Sequence, residues 1–322
     1  MSGKHALEPE FASLPSLTIP SNRLLLRLID GLIRLQRRSF RWSDEVRVRR
    51  HPIRGAGDRA IDLVAIEPSN LDVEAAPALL DYHGGGFFLS HAARHLAYAE
   101  RYALAAGCRV FFPQYRLSID HPFPAALDDA YESFLWVHEN AKSLGVDRER
   151  IALLGDSAGG ALAAGVAQRV LDHGGEPICA QILIYPVTDH ETKTDSALAF
   201  SDTPMWRTAS NRNMWKVYLR GAVGEASRGG SGLPEIPPPY AAPLHRERFE
   251  GLPPARVEVA EFDPLRDEGL AYARALEAAG VPVECREVPG AVHGYDLVEG
   301  SPTADAVLEE RLAALRRFFG SA

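Results

Sequence analysis

The sequence predicts an α/β fold in which helices cover both faces of a mostly parallel, eight-stranded sheet and a helical cap lies over one edge. Short runs of branched and aromatic residues alternate with longer helical patterns along the 322 residues. Several runs are almost continuously apolar, as expected for parallel strands buried on both faces. Sheets of this size are commonly built as one unit, so we expect a single domain spanning residues 1–322.

Eight runs enriched in branched and aromatic residues are predicted to be strands. They cover residues 46–50, 61–67, 77–83, 109–115, 151–154, 178–185, 256–262 and 281–288. The first two are joined through the Gly55-Ala56-Gly57 turn, which predicts an antiparallel edge. Helical patterns separate the later strands, which are therefore predicted to be parallel. These patterns cover residues 92–106, 124–144, 158–173, 265–279 and 304–319.

Two segments that do not fit the alternation are interpreted as a cap over the carboxyl edge of the sheet, where open α/β sheets bind ligands. The alternative, loose surface decoration, is disfavoured because the second segment contains a patch that is too apolar for water. This patch comprises Met205, Trp206, Met214, Trp215 and Tyr218. The predicted cap is formed by 1–45 and 188–240, and the core that carries the sheet is predicted to comprise 46–187 and 241–322.

Composition limits the classes of partner. The formal net charge of −8 gives no electrostatic footprint for nucleic acid or for an anionic membrane surface. The first residues do not read as a secretory signal, and no apolar run approaches the ~20 residues of a spanning helix. We therefore expect a cytoplasmic protein with a small-molecule substrate and with neither nucleic-acid nor membrane partners.

The pentapeptide Gly155-Asp156-Ser157-Ala158-Gly159 follows a predicted strand directly and opens a predicted helix. Gly-x-Ser-x-Gly in this context is typical of a nucleophile elbow, a tight turn that exposes a serine above the sheet. The flanking glycines let neighbouring backbone approach, and the helix N-terminus favours a developing negative charge. The motif predicts that Ser157 is a nucleophile.

A second motif, His83-Gly84-Gly85-Gly86, ends the third predicted strand. Consecutive glycines allow backbone N–H groups to converge on one oxygen, and glycine loops of this kind form the oxyanion hole of lipases and esterases. The N–H of Ala158 would add a donor. A phosphate-binding loop is disfavoured because neither G-x-G-x-x-G nor a G-K-[ST] ending is present.

A nucleophilic serine needs a base, and the base needs an orienting acid, which here should follow the serine in the order acid, then histidine. Asp263 comes first after the seventh predicted strand, whereas Asp267 and Glu268 fall within the next helix. His293 follows the last strand between two glycines. The sequence therefore predicts a catalytic triad of Ser157, Asp263 and His293.

With these motifs the chain resembles bacterial esterases of the hormone-sensitive-lipase-like family. The resemblance implies an α/β-hydrolase fold, hydrolysis of short- to medium-chain acyl esters without a cofactor, and in many members a homodimer. It also implies that Gly85, Gly86 and Ala158 form the oxyanion hole. Ser118-Ile119-Asp120 and Leu89 depart from the family pattern, which affects the expected loop shape and pocket width. The matching segments are 83–87, 115–117, 121–129, 155–160, 183–186, 263–269 and 292–294.

Other clusters receive structural interpretations. His91 and His95 have metal-ligand spacing but lack the glutamate of HExxH, so a surface helix face is favoured. Asp128 and Asp129 are adjacent on a helix, and a structural pairing with Arg116 is expected. No metal and no other cofactor is predicted.

The substrate pocket is predicted to include Phe87, Trp206 and Trp215. The second cap segment contains a helical pattern over residues 208–219. If that helix starts near Met205, the two tryptophans lie on opposite sides, so that one faces the site and the other packs the cap. Packing of both inside the cap stays open.

The predicted function is that of a serine carboxylesterase. A non-catalytic receptor of the gibberellin-receptor type is disfavoured because those proteins lack the histidine. An amidase or acyltransferase with the same triad stays open. A prolyl-oligopeptidase-type peptidase would need a propeller domain, for which the chain has no residues to spare.

Overall fold

A computed structural model describes residues 5–16, 18–55, 59–71, 73–220, 233 and 237–320. Its eight strands form one sheet in the order β1-β2-β4-β3-β5-β6-β7-β8. The strands are β1 (Val46–Gly55), β2 (Arg59–Pro68), β3 (Ala76–Tyr82), β4 (Arg109–Gln114), β5 (Val146–Asp156), β6 (Ala180–Ile184), β7 (Ala255–Phe262) and β8 (Val283–Val292). The predicted fold class, a mostly parallel eight-stranded sheet with helices, is confirmed.

The antiparallel edge extends further than the sequence predicted. β1 pairs with β2 in antiparallel fashion as expected, but β2 also runs antiparallel to β4. From β4 onwards all neighbours are parallel. Because parallel strands end at one edge, the residues that follow β3, β5, β7 and β8 lie at the same edge of the sheet. Two residues of the predicted first turn, 56 and 57, lie outside the described part of the chain.

Helices cover both faces of the sheet. They are α1 (Arg23–Arg37), α2 (Ala93–Ala106), α3 (Ala125–Glu139), α4 (Ala141–Leu144), α5 (Ala158–Asp172), α6 (Asp195–Ala199), α7 (Thr208–Tyr218), α8 (Arg266–Ala278) and α9 (Pro302–Phe318). The core on one face contains buried residues of α3, α5 and α8, and the core on the other contains those of α2 and α9. None of the helices in the described ranges is long and apolar enough to cross a membrane.

Two predicted helices differ from the observed ones. The helix predicted over 124–144 is interrupted at Asn140, whose side-chain amide donates to the carbonyl of Trp136 and so ends α3. The helix predicted over 208–219 is observed as α7, but it does not extend back to the expected start near Met205. Met205 has a φ of +65°, which is not a helical conformation. That prediction is wrong, and Trp206 therefore lies before α7.

The two segments assigned to the cap contact each other directly. The hydroxyl of Ser16 donates to the carbonyl of Thr203 over 2.8 Å. Ile19 is bound from both sides: its N–H donates to the Ser210 hydroxyl, and its carbonyl accepts from the Asn213 side chain. The N-terminal segment and α7 are thus held together by hydrogen bonds.

A buried ion cluster attaches the last helix to the sheet. Arg311 of α9 is 1% exposed and donates to Oε2 of Glu258 in β7 over 2.7 Å. The same guanidinium donates to the hydroxyl of Tyr102 over 2.7 Å and to Asp296 over 3.2 Å. Burying these charges is costly, and they tolerate burial because each has a partner.

Arg311→Met is expected to lower the free energy of unfolding by about 3 kcal/mol, because it removes the buried guanidinium that binds Glu258, Asp296 and Tyr102 at once. Arg317→Met is the matched control, since Arg317 forms an exposed ion pair with Glu284. It should cost less than about 1 kcal/mol. Urea unfolding of both variants measures the difference, and equal costs would contradict a dominant role for the buried cluster.

Candidate active site

Ser157 occupies a sharp turn between β5 and α5. Its backbone has φ of +54° and ψ of −116°, a conformation that costs energy for any residue with a side chain. The N–H of Ser157 donates to the carbonyl of Ile184, which holds the turn against the end of β6. The hydroxyl therefore stands above the carboxyl edge of the sheet, next to the first N–H groups of α5.

The turn passes so close to the end of β3 that only glycine fits at one position. A Cβ atom at Gly159 would lie 1.8 Å from the carbonyl oxygen of Tyr82, far inside van der Waals contact. The two turns are also bonded to each other, because the N–H of Gly84 donates to Oδ1 of Asp156 over 2.7 Å. The glycine loop and the serine turn thus form one unit.

Two glycines give the loop after β3 its shape. Gly85 has a φ of +111° and its carbonyl accepts from the N–H of Leu89 over 2.9 Å. Gly86 follows with a φ of +61°. Within the described part of the chain, the N–H groups of these two glycines have no hydrogen-bond acceptor. Ala158 is the first residue of α5, so its N–H also lacks an intrahelical partner.

His293 and Asp263 lie beside Ser157 because their strands pair in register. Phe262 at the end of β7 is opposite Val292 at the end of β8. The residues that follow them, Asp263 and His293, are therefore neighbours. Nε2 of His293 is 2.9 Å from Oγ of Ser157, and Nδ1 is 2.7 Å from Oδ2 of Asp263. The structure brings together all three residues of the predicted triad.

The hydrogen bonds of Asp263 determine the tautomer of His293. Asp263 is fully buried, and its Oδ1 accepts from the N–H of Leu265 over 2.8 Å. A carboxylate can only accept, so Nδ1 of His293 carries the proton and Nε2 presents a lone pair to the serine hydroxyl. The two other carboxylates of this region point elsewhere: Asp267 accepts from the N–H of Ser196, and Glu268 accepts from the N–H of Thr188.

His83 braces the glycine loop. Burial lowers the pKa of its imidazole to about 3, so the ring is neutral. Nδ1 lies 2.6 Å from the carbonyl of Gly84, and the ring stacks on Tyr115, whose hydroxyl donates to the carbonyl of His83. These contacts hold the glycine loop in its shape.

The histidine pair does not lie on an exposed helix face, so that interpretation is wrong: His91 is 4% exposed and the His95 side chain 11%. His91 precedes α2, and Nδ1 lies 3.1 Å from a guanidinium nitrogen of Arg37. His95 turns toward the elbow, where Nε2 is 3.4 Å from Oδ2 of Asp156. Burial lowers the pKa of His95, but Asp156 outweighs it and leaves the pKa above its usual value.

Asp156 shows the reciprocal effect. Burial raises the pKa of its carboxyl, whereas His95 and the Gly84 N–H lower it more, leaving it below its usual value. The same carboxylate thus accepts from the N–H of Gly84 in the glycine loop and pairs with the imidazole of His95. Sequence reasoning missed this role, and the only signal was the position of Asp156 within the serine motif.

Tyr185 and Asp296 were also not predicted. The ring of Tyr185 packs 4.7 Å from the ring of His293, and its hydroxyl donates to a carboxylate oxygen of Asp296. Both residues line a cavity of about 20 Å³ beneath the site, with Asp81 and His95 on another side. A cavity of this size and polarity suits one water molecule.

The paired aspartates have the structural role that was expected. Asp129 binds Arg116 through both carboxylate oxygens and also accepts from the Arg116 N–H. Asp128 instead pairs with Arg169 over 2.7 Å. Asp120, one of the residues that depart from the family pattern, accepts hydrogen bonds from Arg23 and from a second arginine of α1. These bonds attach the N-terminal segment to the loop that contains Asp120.

Of the three predicted pocket aromatics, Trp206 has a ring contact with the triad. The ring of Trp206 lies 5.6 Å from that of His293, and a ring carbon is 3.2 Å from where a Cβ of Gly86 would stand. Trp215 is fully buried, 6.2 Å from the ring of Phe87. Phe87 stacks on Tyr218 with ring centroids 3.7 Å apart. Phe87 and Trp215 therefore pack α7 onto the glycine loop.

Comparisons with known proteins agree with this geometry. Residues 79–297 match a family model described as the α/β-hydrolase fold. Esterase LipI of Mycobacterium tuberculosis is 38% identical over 252 residues, which cover 77% of this chain and 75% of the relative. Carboxylesterase NlhH of the same species is 40% identical over 243 residues, covering 75% of this chain and 73% of the relative.

Solved structures are similar over nearly the whole chain. A bacterial heroin esterase superimposes with a TM-score of 0.87 at 34% identity and covers 98% of both chains. Esterase LipW from Mycobacterium marinum has a TM-score of 0.87 at 31% identity, with 98% of this chain and 96% of that chain covered.

Proposed function

The chain belongs to the α/β-hydrolase fold family and is a carboxylic ester hydrolase, and from that premise we propose that it hydrolyses short- to medium-chain acyl esters through Ser157, His293 and Asp263. The observation that carries the proposal is the continuous chain of contacts from Oγ of Ser157 to His293, 2.9 Å, and on to Asp263, 2.7 Å. This is the arrangement in which a histidine removes the proton of an attacking serine.

The reaction follows from the tautomer of His293. Nε2 accepts the Ser157 proton while Oγ attacks the ester carbonyl carbon and forms a tetrahedral intermediate. The resulting imidazolium is stabilised by Asp263 and returns the proton to the departing alcohol, which leaves an acyl group on Oγ. Water then attacks the acyl group with His293 again as the base, and the carboxylic acid is released.

We assign the stabilisation of the negatively charged oxygen of the tetrahedral intermediate to the backbone N–H groups of Gly85, Gly86 and Ala158. The two glycine N–H groups have no acceptor in the described residues, and the Ala158 N–H begins α5, whose dipole favours an anion. Removing one such donor typically costs a few kcal/mol of transition-state stabilisation, a factor of about 10² to 10³ in rate.

The proposed substrate site lies between the triad and the cap formed by 1–45 and 188–240. Trp206 supplies an apolar wall beside His293, since its side chain is only 7% exposed and its ring faces both the imidazole and Gly86. An apolar wall favours an uncharged acyl or alcohol group. The homodimer and the independence from cofactors stay predictions.

Hydrolysis of p-nitrophenyl esters separates the proposal from a non-catalytic receptor, and amide substrates test the amidase alternative. We expect wild-type protein to turn over short- to medium-chain esters and Ser157→Ala to have no measurable burst or turnover while its melting temperature is retained. An organophosphate should label Ser157 alone. Turnover near wild type in Ser157→Ala, or labelling of another serine, would contradict the assignment.

The acid of the triad is tested by a matched pair of substitutions. Asp263→Asn should lower kcat by about 10⁴, the loss seen when another serine hydrolase is given the wrong histidine tautomer. Asp267→Asn alters a nearby carboxylate in the first turn of α8 that binds Ser196 instead of His293, so its kcat should stay within a few-fold of wild type. The reverse ranking would move the acid role to Asp267.

Trp206→Ala is expected to shift the preferred acyl chain upward by about two carbons, because it opens space beside His293 and each methylene accommodated is worth up to ~0.8 kcal/mol. Trp215→Ala is the control: it should lose about 3–5 kcal/mol of stability but keep the wild-type preference. Values of kcat/KM over an acyl series decide this. An unchanged optimum for Trp206→Ala would return Trp206 to cap packing.

A further inference from the structure

Three potential metal ligands converge away from the triad, where the second cap segment leaves and rejoins the sheet. Asp189 and His190 follow β6, and His245 ends a short 3₁₀ helix, Pro243–His245. Nε2 of His245 lies 2.8 Å from Oδ1 of Asp189 and 3.2 Å from Nδ1 of His190. Nδ1 of His190 is 3.8 Å from the same Asp189 oxygen.

Hydrogen bonds alone do not satisfy these three atoms well. If Nε2 of His245 carries a proton, that proton must be shared between Asp189 and His190. If it does not, its lone pair faces a carboxylate oxygen at 2.8 Å, which is repulsive. Three electron-pair donors that lie within 3.8 Å of one another suit a cation better than a single proton.

We propose that Asp189, His190 and His245 bind a divalent transition-metal ion, with Zn²⁺ as the best match to the donor set. Donor atoms ~2.0–2.2 Å from a tetrahedral zinc stand about 3.3–3.6 Å apart, and the three observed separations of 2.8, 3.2 and 3.8 Å bracket this spacing. Two imidazoles and one carboxylate leave a fourth position for water. The half-exposed ring of His245 makes that position reachable from solvent.

The backbone around the cluster is already fixed. The N–H of Leu244 donates to the carbonyl of Thr188 over 3.0 Å, which places the two ligand-bearing segments side by side. The carboxylate of Asp189 accepts from the N–H of Glu191 over 2.9 Å and so keeps its orientation. Such fixed surroundings lower the cost of assembling the ligands around an ion.

The position of the cluster indicates a structural role. Asp189 and His190 lie at the start of the segment that carries α7, and His245 lies just after its end. The ring of His190 also contacts Trp215 of α7, with centroids 6.2 Å apart. A bound ion would cross-link both ends of the cap segment to each other. It would leave the proton path through His293 unchanged.

The test begins with full-length protein that has been treated with a chelator and then titrated with Zn²⁺ in a calorimeter. We expect one Zn²⁺ per chain and a rise of several degrees in melting temperature. Asp189→Asn and His245→Gln should bind Zn²⁺ at least tenfold more weakly and lose most of this rise. His173→Gln, which alters an exposed histidine at the end of α5, is the matched control and should behave as wild type. Co²⁺ should give the visible absorption of a tetrahedral centre in wild type and in His173→Gln only.

Each outcome decides the proposal. No binding, or equal binding by wild type and His245→Gln, would overturn it and leave the cluster as a shared hydrogen bond. Ester hydrolysis is measured separately on the same chelator-treated protein, where turnover should persist. If the protein binds no Zn²⁺ but still hydrolyses esters, the proposed metal site is refuted and the serine mechanism is unaffected.

Discussion

The close approach of two backbone turns, at the ends of β3 and β5, is the constraint on which the site depends. Gly159 lies against the carbonyl of Tyr82 so closely that no side chain fits between them, and Gly84 donates to Asp156 across the same gap. The serine turn and the glycine loop are consequently one rigid unit. In the proposed mechanism this unit carries both the nucleophile and the donors for the oxyanion, so their separation is set by backbone packing instead of flexible side chains.

A layer of buried polar groups beneath that unit holds it in place. His83 is neutral and braces the glycine loop, while Asp156 and His95 form a pair under the serine turn. Burial and then the charge of Asp156 raise the pKa of Asp81 to about 8, so this carboxyl is mainly protonated at neutral pH. Groups of this kind are stable inside a protein only when partners are available. Because these groups support the serine turn and the glycine loop, many more titratable residues surround the site than the three of the triad.

The sequence predicted the sheet, most helices and the triad because these leave local signals: strand composition, helical spacing, and glycines at fixed offsets. It could not predict that β2 pairs with β4, because pairing between distant strands leaves no local pattern. The helix does not start at Met205 because the N–H of Met205 donates to the carbonyl of Pro15 in the N-terminal segment and the residue has a positive φ. The sequence also could not predict the cluster of Asp189 with His245, because these residues are far apart in sequence and only folding brings them together.

The central claim is that Ser157 forms a covalent acyl-enzyme within this preorganised unit. Mass spectrometry after rapid acid quenching, with an ester whose acyl group hydrolyses slowly, tests it most directly. The account predicts a mass increase equal to one acyl group per chain, carried by the peptide that contains Ser157. It also predicts that the adduct forms much more slowly in Asp263→Asn. An ester that is hydrolysed without any adduct, or an acyl group on another residue, would contradict the account.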